Sequence, residues 1–95
     1  MLSGKQKSYL RSEAHHLQPI FQIGKGGLTD AIIKQIEEAL EARELIKVSI
    51  LQNCEEDKKD IAERLEEAGI EVVQLIGKIL VLYKESKEKK RIVLP

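Results

Sequence analysis

Ile20-Phe21-Gln22-Ile23-Gly24-Lys25-Gly26-Gly27-Leu28-Thr29-Asp30 is the stretch on which the reading of this chain turns. A short apolar run reads as a strand, passes into a glycine loop, and meets Thr29. Threonine is a good helix N-cap, and Asp30 then sits in a first turn where the helix dipole favours an anion. Glycines let the backbone turn sharply and let a phosphate approach without obstruction by Cβ. The helix that follows offers free N–H groups and a positive dipole end. Lys25 adds a mobile charge at the tip. Gly24, Lys25, Gly26 and Gly27 thus supply what backbone phosphate recognition needs, and no group suited to chemistry. Two rival motifs fail on spacing. A dinucleotide fingerprint has Gly24 and Gly26 in place but Thr29 where a third Gly or Ala belongs, and no P-loop run exists. The plain alternative is a glycine turn whose only work is geometry.

Upstream, Ser3 to about Leu17 reads as a helix. Leu10, Ala14 and Leu17 form a narrow apolar stripe, with Lys7, Arg11 and His15 beside it as a cationic one. Pro19 closes that element. Downstream, Ile32, Ile33, Ile36, Ala39 and Leu40 hold one face of a helix to about Arg43, and Leu45 to Leu51 form a second strand. Asn53 with Glu56 resembles a capping box for a third helix, which Gly69 ends. Ile70 to Ile76 and Ile79 to Tyr83 are strand-like around the turn Gly77-Lys78. Lys84 to Arg91 reads as a solvated charge run, so residues 84–95 are expected to be a partly mobile tail. Ile92-Val93-Leu94 either docks on the sheet or frays. The expected architecture over residues 1–95 is a single α/β domain in the order α-β-α-β-α-β-β. A four-stranded mixed sheet covered by helices buries these faces.

The 95 residues carry sixteen Lys plus Arg against sixteen Asp plus Glu, a formal net charge of zero. The balance conceals a partition. Residues 1–29 hold four basic side chains against one acidic, a net of +3. Residues 30–75 hold six against thirteen, a net of −7, and residues 76–95 hold six against two, a net of +4. Such a bipolar chain can steer a polyanion to one side. One Phe, two Tyr and no Trp argue against an aromatic base-stacking platform. The lone Cys54 has no disulfide or zinc partner and reads as a half-buried hydrophobe. No apolar run is long enough for a membrane span and no secretory signal is visible, so a cytoplasmic setting is expected. Adjacent His15 and His16 diverge by about 100° on a helix and cannot share a metal. Glu55-Glu56-Asp57 is explained by helix-start acids. No catalytic set and no cofactor site can be named.

Four spaced motifs resemble a known family. They are Gly24-Lys25-Gly26-Gly27-Leu28-Thr29, Glu44-Leu45-Ile46-Lys47-Val48, Val73 to Lys78 with Leu80-Val81-Leu82-Tyr83, and the opening Leu2 to Lys7 with Leu10 to His15. Together they are similar to the bacterial YhbY family, the stand-alone form of the CRM domain (chloroplast RNA splicing and ribosome maturation). The resemblance implies a non-enzymatic RNA-binding domain with a fold like the C-terminal domain of translation initiation factor 3. It implies ribosomal RNA of the large-subunit precursor as partner. Ribosomal or assembly proteins as further partners, no membrane and a monomer when free are expected beside it. The family's Gly-x-x-Gly loop maps onto Gly24, Lys25, Gly26 and Gly27. Its basic surface maps onto Lys5, Lys7, Arg11, Lys25, Lys47 and Lys78. The alternative is a protein-interaction adaptor that docks on a ribosomal protein or assembly GTPase through the acidic helices.

Overall fold

A computed structural model describes residues 2–95. Its elements are α1 (Gly4–Ala14), β1 (Pro19–Ile23), α2 (Asp30–Arg43), β2 (Leu45–Ile50), α3 (Lys58–Glu67), β3 (Glu71–Ile76) and β4 (Ile79–Tyr83). The order is the one the apolar periodicity predicts. Local chemistry sets most boundaries. At α1 the Ser3 hydroxyl accepts from Gln6 N–H at 3.1 Å, and the Gln6 side chain accepts from Ser3 N–H at 3.0 Å. This reciprocal capping box satisfies two donors that a helix start leaves without partners. Thr29 Oγ1 caps α2 by accepting from Ile32 N–H at 3.2 Å. Gly69, at φ +88°, ends α3, with Gly69 N–H donating to Glu66 and Ile70 N–H to Leu65. That pair of bonds is the left-handed glycine terminator expected there.

Two boundaries differ from expectation. α1 stops at Ala14, and Leu17 packs against the core from the connection rather than from the helix. The chain needs residues 15–18 to turn back onto the sheet, since Pro19 already opens β1 and disfavours helix in the residue before it. At α3 the cap is Asp57, whose Oδ1 accepts from Lys59 N–H at 2.7 Å. Asn53 and Glu56 form no capping box, because the Glu56 carboxylate is committed to the glycine loop and to Arg64.

The sheet order is β1-β2-β4-β3, with β1 parallel to β2 and the other neighbours antiparallel. β2 alternates cleanly. Ile46, Val48 and Ile50 join Ile36 and Leu40 of α2 and Ile61 and Leu65 of α3 in the main core. Leu45 lies on the other face with Leu10 and Ala14 of α1, Val81 and Tyr83. Thus α2 and α3 cover one face and α1 the other.

The charged tail departs from a simple solvated run. Glu44 ends α2 at φ +65° and is fully buried. Its carboxylate accepts N–H bonds from Ser86 and Ile92, both at 2.8 Å, and from Arg91. Glu41 accepts from Ser86 Oγ at 2.7 Å and from the N–H groups of Lys87 and Glu88. Ser86 is buried as a result, and Ile92 and Leu94 dock on the α1-side core. The side chains of residues 87–90 remain exposed.

Strand directions fix what meets at each end of the sheet. β1, β2 and β3 finish, and β4 starts, at one common end. The glycine loop after β1 and the Gly77-Lys78 turn between β3 and β4 therefore share that end. Bonds across it tie the corner together: Leu51 N–H to Ile23 O at 2.8 Å and Ile50 N–H to Lys78 O at 2.7 Å. Lys58 Nζ donates to Gly77 O at 3.1 Å.

Candidate nucleic-acid interface

The four loop residues form a tight turn closed by Gly27 N–H donating to Gly24 O at 2.9 Å. Its glycines are not equivalent. Gly27 lies at φ +67°, and a Cβ there would sit 2.8 Å from Glu56 Oε1 and 3.5 Å from Glu56 Cβ. A Cβ on Gly24 would make ordinary contact with Leu51 at 3.5 Å, and one on Gly26 would meet nothing within 4 Å. Only Gly27 is required by geometry.

Glu56 explains the tightness. Its Oε1 accepts from Leu28 N–H at 2.9 Å, and its Oε2 accepts from Arg64 Nη1 at 2.7 Å. The Leu28 N–H bond, with help from the Arg64 guanidinium and against partial burial, holds this carboxyl below the usual carboxylate range. Of the donors expected from the loop and helix start, Gly27 and Leu28 N–H are thus already bonded internally, as is Ile32 N–H. The N–H groups of Lys25 and Gly26 stand at the exposed tip, with no partner among the described residues.

Beside this corner lies a groove of about 530 Å³ between α1 and the open part of the sheet. Arg11, Ser12 and Ala14 line it from α1 and His15 from the helix C-cap, Lys47 from β2, Gln74 and Ile76 from β3, and Ile79 and Val81 from β4. No carboxylate is among these lining residues. Ile76 and Ile79 pair across the strands that flank Gly77-Lys78, so the groove runs up to that turn.

The fold therefore gathers some of the expected basic residues and separates others. Arg11 and Lys47, from different elements, line one groove. Lys78 and the glycine loop with Lys25 share the adjoining end of the sheet. Lys7 is half-buried one helical turn before Arg11. Lys5 is exposed, about 120° round the helix from Arg11, and does not line the groove. Most of the basic C-terminal stretch turns elsewhere. Lys84 lies 3.7 Å from Glu37, and Lys90 lies 2.9 Å from Glu85. Lys84 and Lys87 line a second hollow with Lys34, Glu37, Glu38, Glu41, Glu85 and Glu88. Gln74 and Ile76 are groove residues that motif spacing does not single out. Their period-two spacing on β3 is the signal that puts both on one face.

Over residues 2–84 the sequence matches the family model of the CRS1 / YhbY (CRM) domain. The chain belongs to that family. It is 69% identical over 96 residues to the probable RNA-binding protein YqeI of Bacillus subtilis (strain 168), covering all of both chains. A protein of Haemophilus influenzae named RNA-binding protein is 45% identical over 90 residues, across 94% of this chain and 91% of its own. The solution structure of the hypothetical protein SAV1595 from Staphylococcus aureus has the same fold, with a TM-score of 0.82. It is 61% identical and matches over the full length of both chains. The CRM match ends at Lys84, just past the last strand. The segment held by Glu41 and Glu44 lies almost wholly beyond it. Among the described residues, no helix is long and apolar enough to cross a membrane.

Proposed function

We propose that this CRM domain is an RNA-binding protein whose ligand is ribosomal RNA, engaged during assembly of the large ribosomal subunit. Family membership and the names of its relatives support RNA binding. The observation that carries the reading is the meeting of Arg11 and Lys47 in a groove without carboxylates, next to the sheet end that holds the glycine loop and Lys78. In this mechanism the tip N–H groups of Lys25 and Gly26 meet a phosphate. Gly24 and Gly27 shape that turn, and the Lys25 ammonium adds charge. Arg11, Lys47 and Lys78 extend the track, and Lys7 and Lys5 strengthen the field along α1. Contacts of this kind position a protein on the backbone, and RNA shape supplies the selectivity.

Binding to protein-free large-subunit ribosomal RNA, titrated over salt, tests the placement. Each phosphate contact releases counterions, so the Lys25→Ala/Arg11→Ala double variant should bind more weakly. The slope of log K against log salt should fall by about 2. Unchanged affinity and slope in the folded double variant would overturn the placement. The adaptor reading draws on the acidic hollow along α2, and binding to intact particles but not to protein-free RNA would favour it. For the assembly role, crosslinks in cells should concentrate in large-subunit precursor RNA. Crosslinks spread over messenger RNA would contradict it.

A further inference from the structure

Backbone contacts do not account for the apolar residues of the groove. Ile76 is 58% exposed, the most exposed large apolar side chain of the sheet, and it forms a cross-strand pair with Ile79. Inside a groove, this aliphatic pair offers an apolar face beside polar groups, the mixture that ligand clefts use. The polar residues that line the groove beside this pair are chemically selective. Gln74 adds a carboxamide with no side-chain partner among the described residues, and Ser12 adds a hydroxyl. Arg11 and Lys47 add two cations. An aliphatic surface, a neutral two-way hydrogen-bonding group and two cations in one groove together match one nucleotide. The base lies on the aliphatic surface, its edge meets the amide, and its phosphate meets the cations.

We infer that the groove between α1 and β2–β4 is a subsite for one unpaired RNA base. The inference rests on the proposed RNA binding and adds base recognition to it. A volume of about 530 Å³ falls within the range that small-molecule clefts occupy. Bases in loops and bulges are the ones free to leave a stack, and proteins read them by apolar contact and by hydrogen bonds to the base edge. A glutamine amide, donor and acceptor at once, pairs best with adenine. The subsite prefers adenine for that reason.

Two stem–loop RNAs decide it. They share one stem, and the loop carries adenines in one and abasic riboses in the other, so phosphate number is the same. The adenine loop should bind about tenfold more tightly to the native protein. Ile76→Ser and Gln74→Leu should each remove most of that preference while leaving the salt slope unchanged, because neither removes a charge. Arg11→Ala should do the reverse, lowering the slope and keeping a preference for the base. Equal affinity for the two loops, at whatever level, overturns the subsite. If large-subunit RNA still binds with its Lys25- and Arg11-dependent slope, the backbone reading survives that result. If that RNA does not bind either, both fall. Thermal melting of each variant confirms the fold, and a preference that persists in both folded variants also overturns the assignment.

Discussion

Two hollows of similar size lie along helices that cover opposite faces of one sheet, and they differ in charge. The groove beside α1, about 530 Å³, is lined by Arg11, His15 and Lys47 with no carboxylate. The hollow along α2, about 630 Å³, is lined by five carboxylates and three lysines. A single chain of zero net charge thus offers a polyanion one surface and withholds the other. The way each is built also differs. The basic groove is walled by α1, its C-cap His15 and strands β2, β3 and β4. The acidic hollow is walled partly by residues 84–88, a segment without helix or strand. That segment keeps its course because two glutamates at the end of α2 collect its N–H groups.

The largest expected effect comes from breaking that wall. Glu44→Ala leaves the N–H groups of Ser86, Arg91 and Ile92 without their buried acceptor. Hydrogen bonds to charged groups contribute about 1.5–3 kcal/mol and an orphaned buried donor costs a similar amount, so a loss of about 3 kcal/mol is expected in urea unfolding. Protease cleavage within residues 84–92 should accelerate, while the salt slope of RNA binding stays as it was. If stability falls and the RNA slope changes with it, the two surfaces are one unit and the comparison fails. Acid probes the same wall. Burial pushes the Glu44 carboxyl up, but the Arg91, Ser86 and Ile92 N–H groups outweigh it and hold it below its ordinary value. The N–H of Lys87, the Ser86 hydroxyl and the N–H of Glu88 do the same for Glu41. A carboxyl depressed in the folded state contributes stability that is present above its unfolded pKa, about 4.3, and lost as pH falls through the folded value. The urea midpoint should therefore stay level from pH 7 to about 5 and decline below that. Glu44→Gln should flatten the decline.

A smaller effect distinguishes the loop that flanks the basic groove. Gly27→Ala forces an L-residue to φ +67° and drives a Cβ into the Glu56 oxygen that holds Leu28 N–H. Left-handed strain costs about 1–2 kcal/mol, and the displaced bond adds to it, so a loss of about 2 kcal/mol is expected. Gly26→Ala, with open space around it and no positive φ, should change stability by less than about 0.5 kcal/mol. Equal costs at the two positions would mean that the turn relaxes freely and that Glu56 is not its anchor.

Much of this was legible in advance, and the exceptions share one cause. Apolar periodicity located every element, and Thr29, Gly69 and Gly77 marked their boundaries because caps and left-handed glycines act within a few residues. Glu44 and Glu56 were not legible in their roles. Each looked like one more acid in a chain rich in them, yet each binds N–H groups from 28 to 48 residues away. The Asn53–Glu56 spacing met the capping-box pattern, but the longer-range partners of Glu56 prevailed. The charge partition was legible as a sum over segments. It overstated the C-terminal contribution, because Lys84 is matched by Glu37, an acid counted with the middle segment. Gln74 and Ile76 became groove residues only when α1 left that part of the sheet uncovered.

The smallest expected effect tests whether the acidic hollow is remote from RNA or merely repels it. Glu37→Lys/Glu38→Lys changes the local charge by four units without touching the groove beside α1. If RNA runs along that groove, the reversed charges act on it only through solvent. Beyond a Debye length, about 10 Å at 0.1 M salt, such interactions are largely screened. Affinity for large-subunit RNA should therefore rise about two- to threefold at low salt and by less than that at physiological salt. The preference for an adenine loop over an abasic one should not change, because that preference is set by short-range contact. A gain of tenfold or more that persists at physiological salt would place RNA against α2. The hollow would then be part of the RNA path, and the division between the two surfaces would be lost.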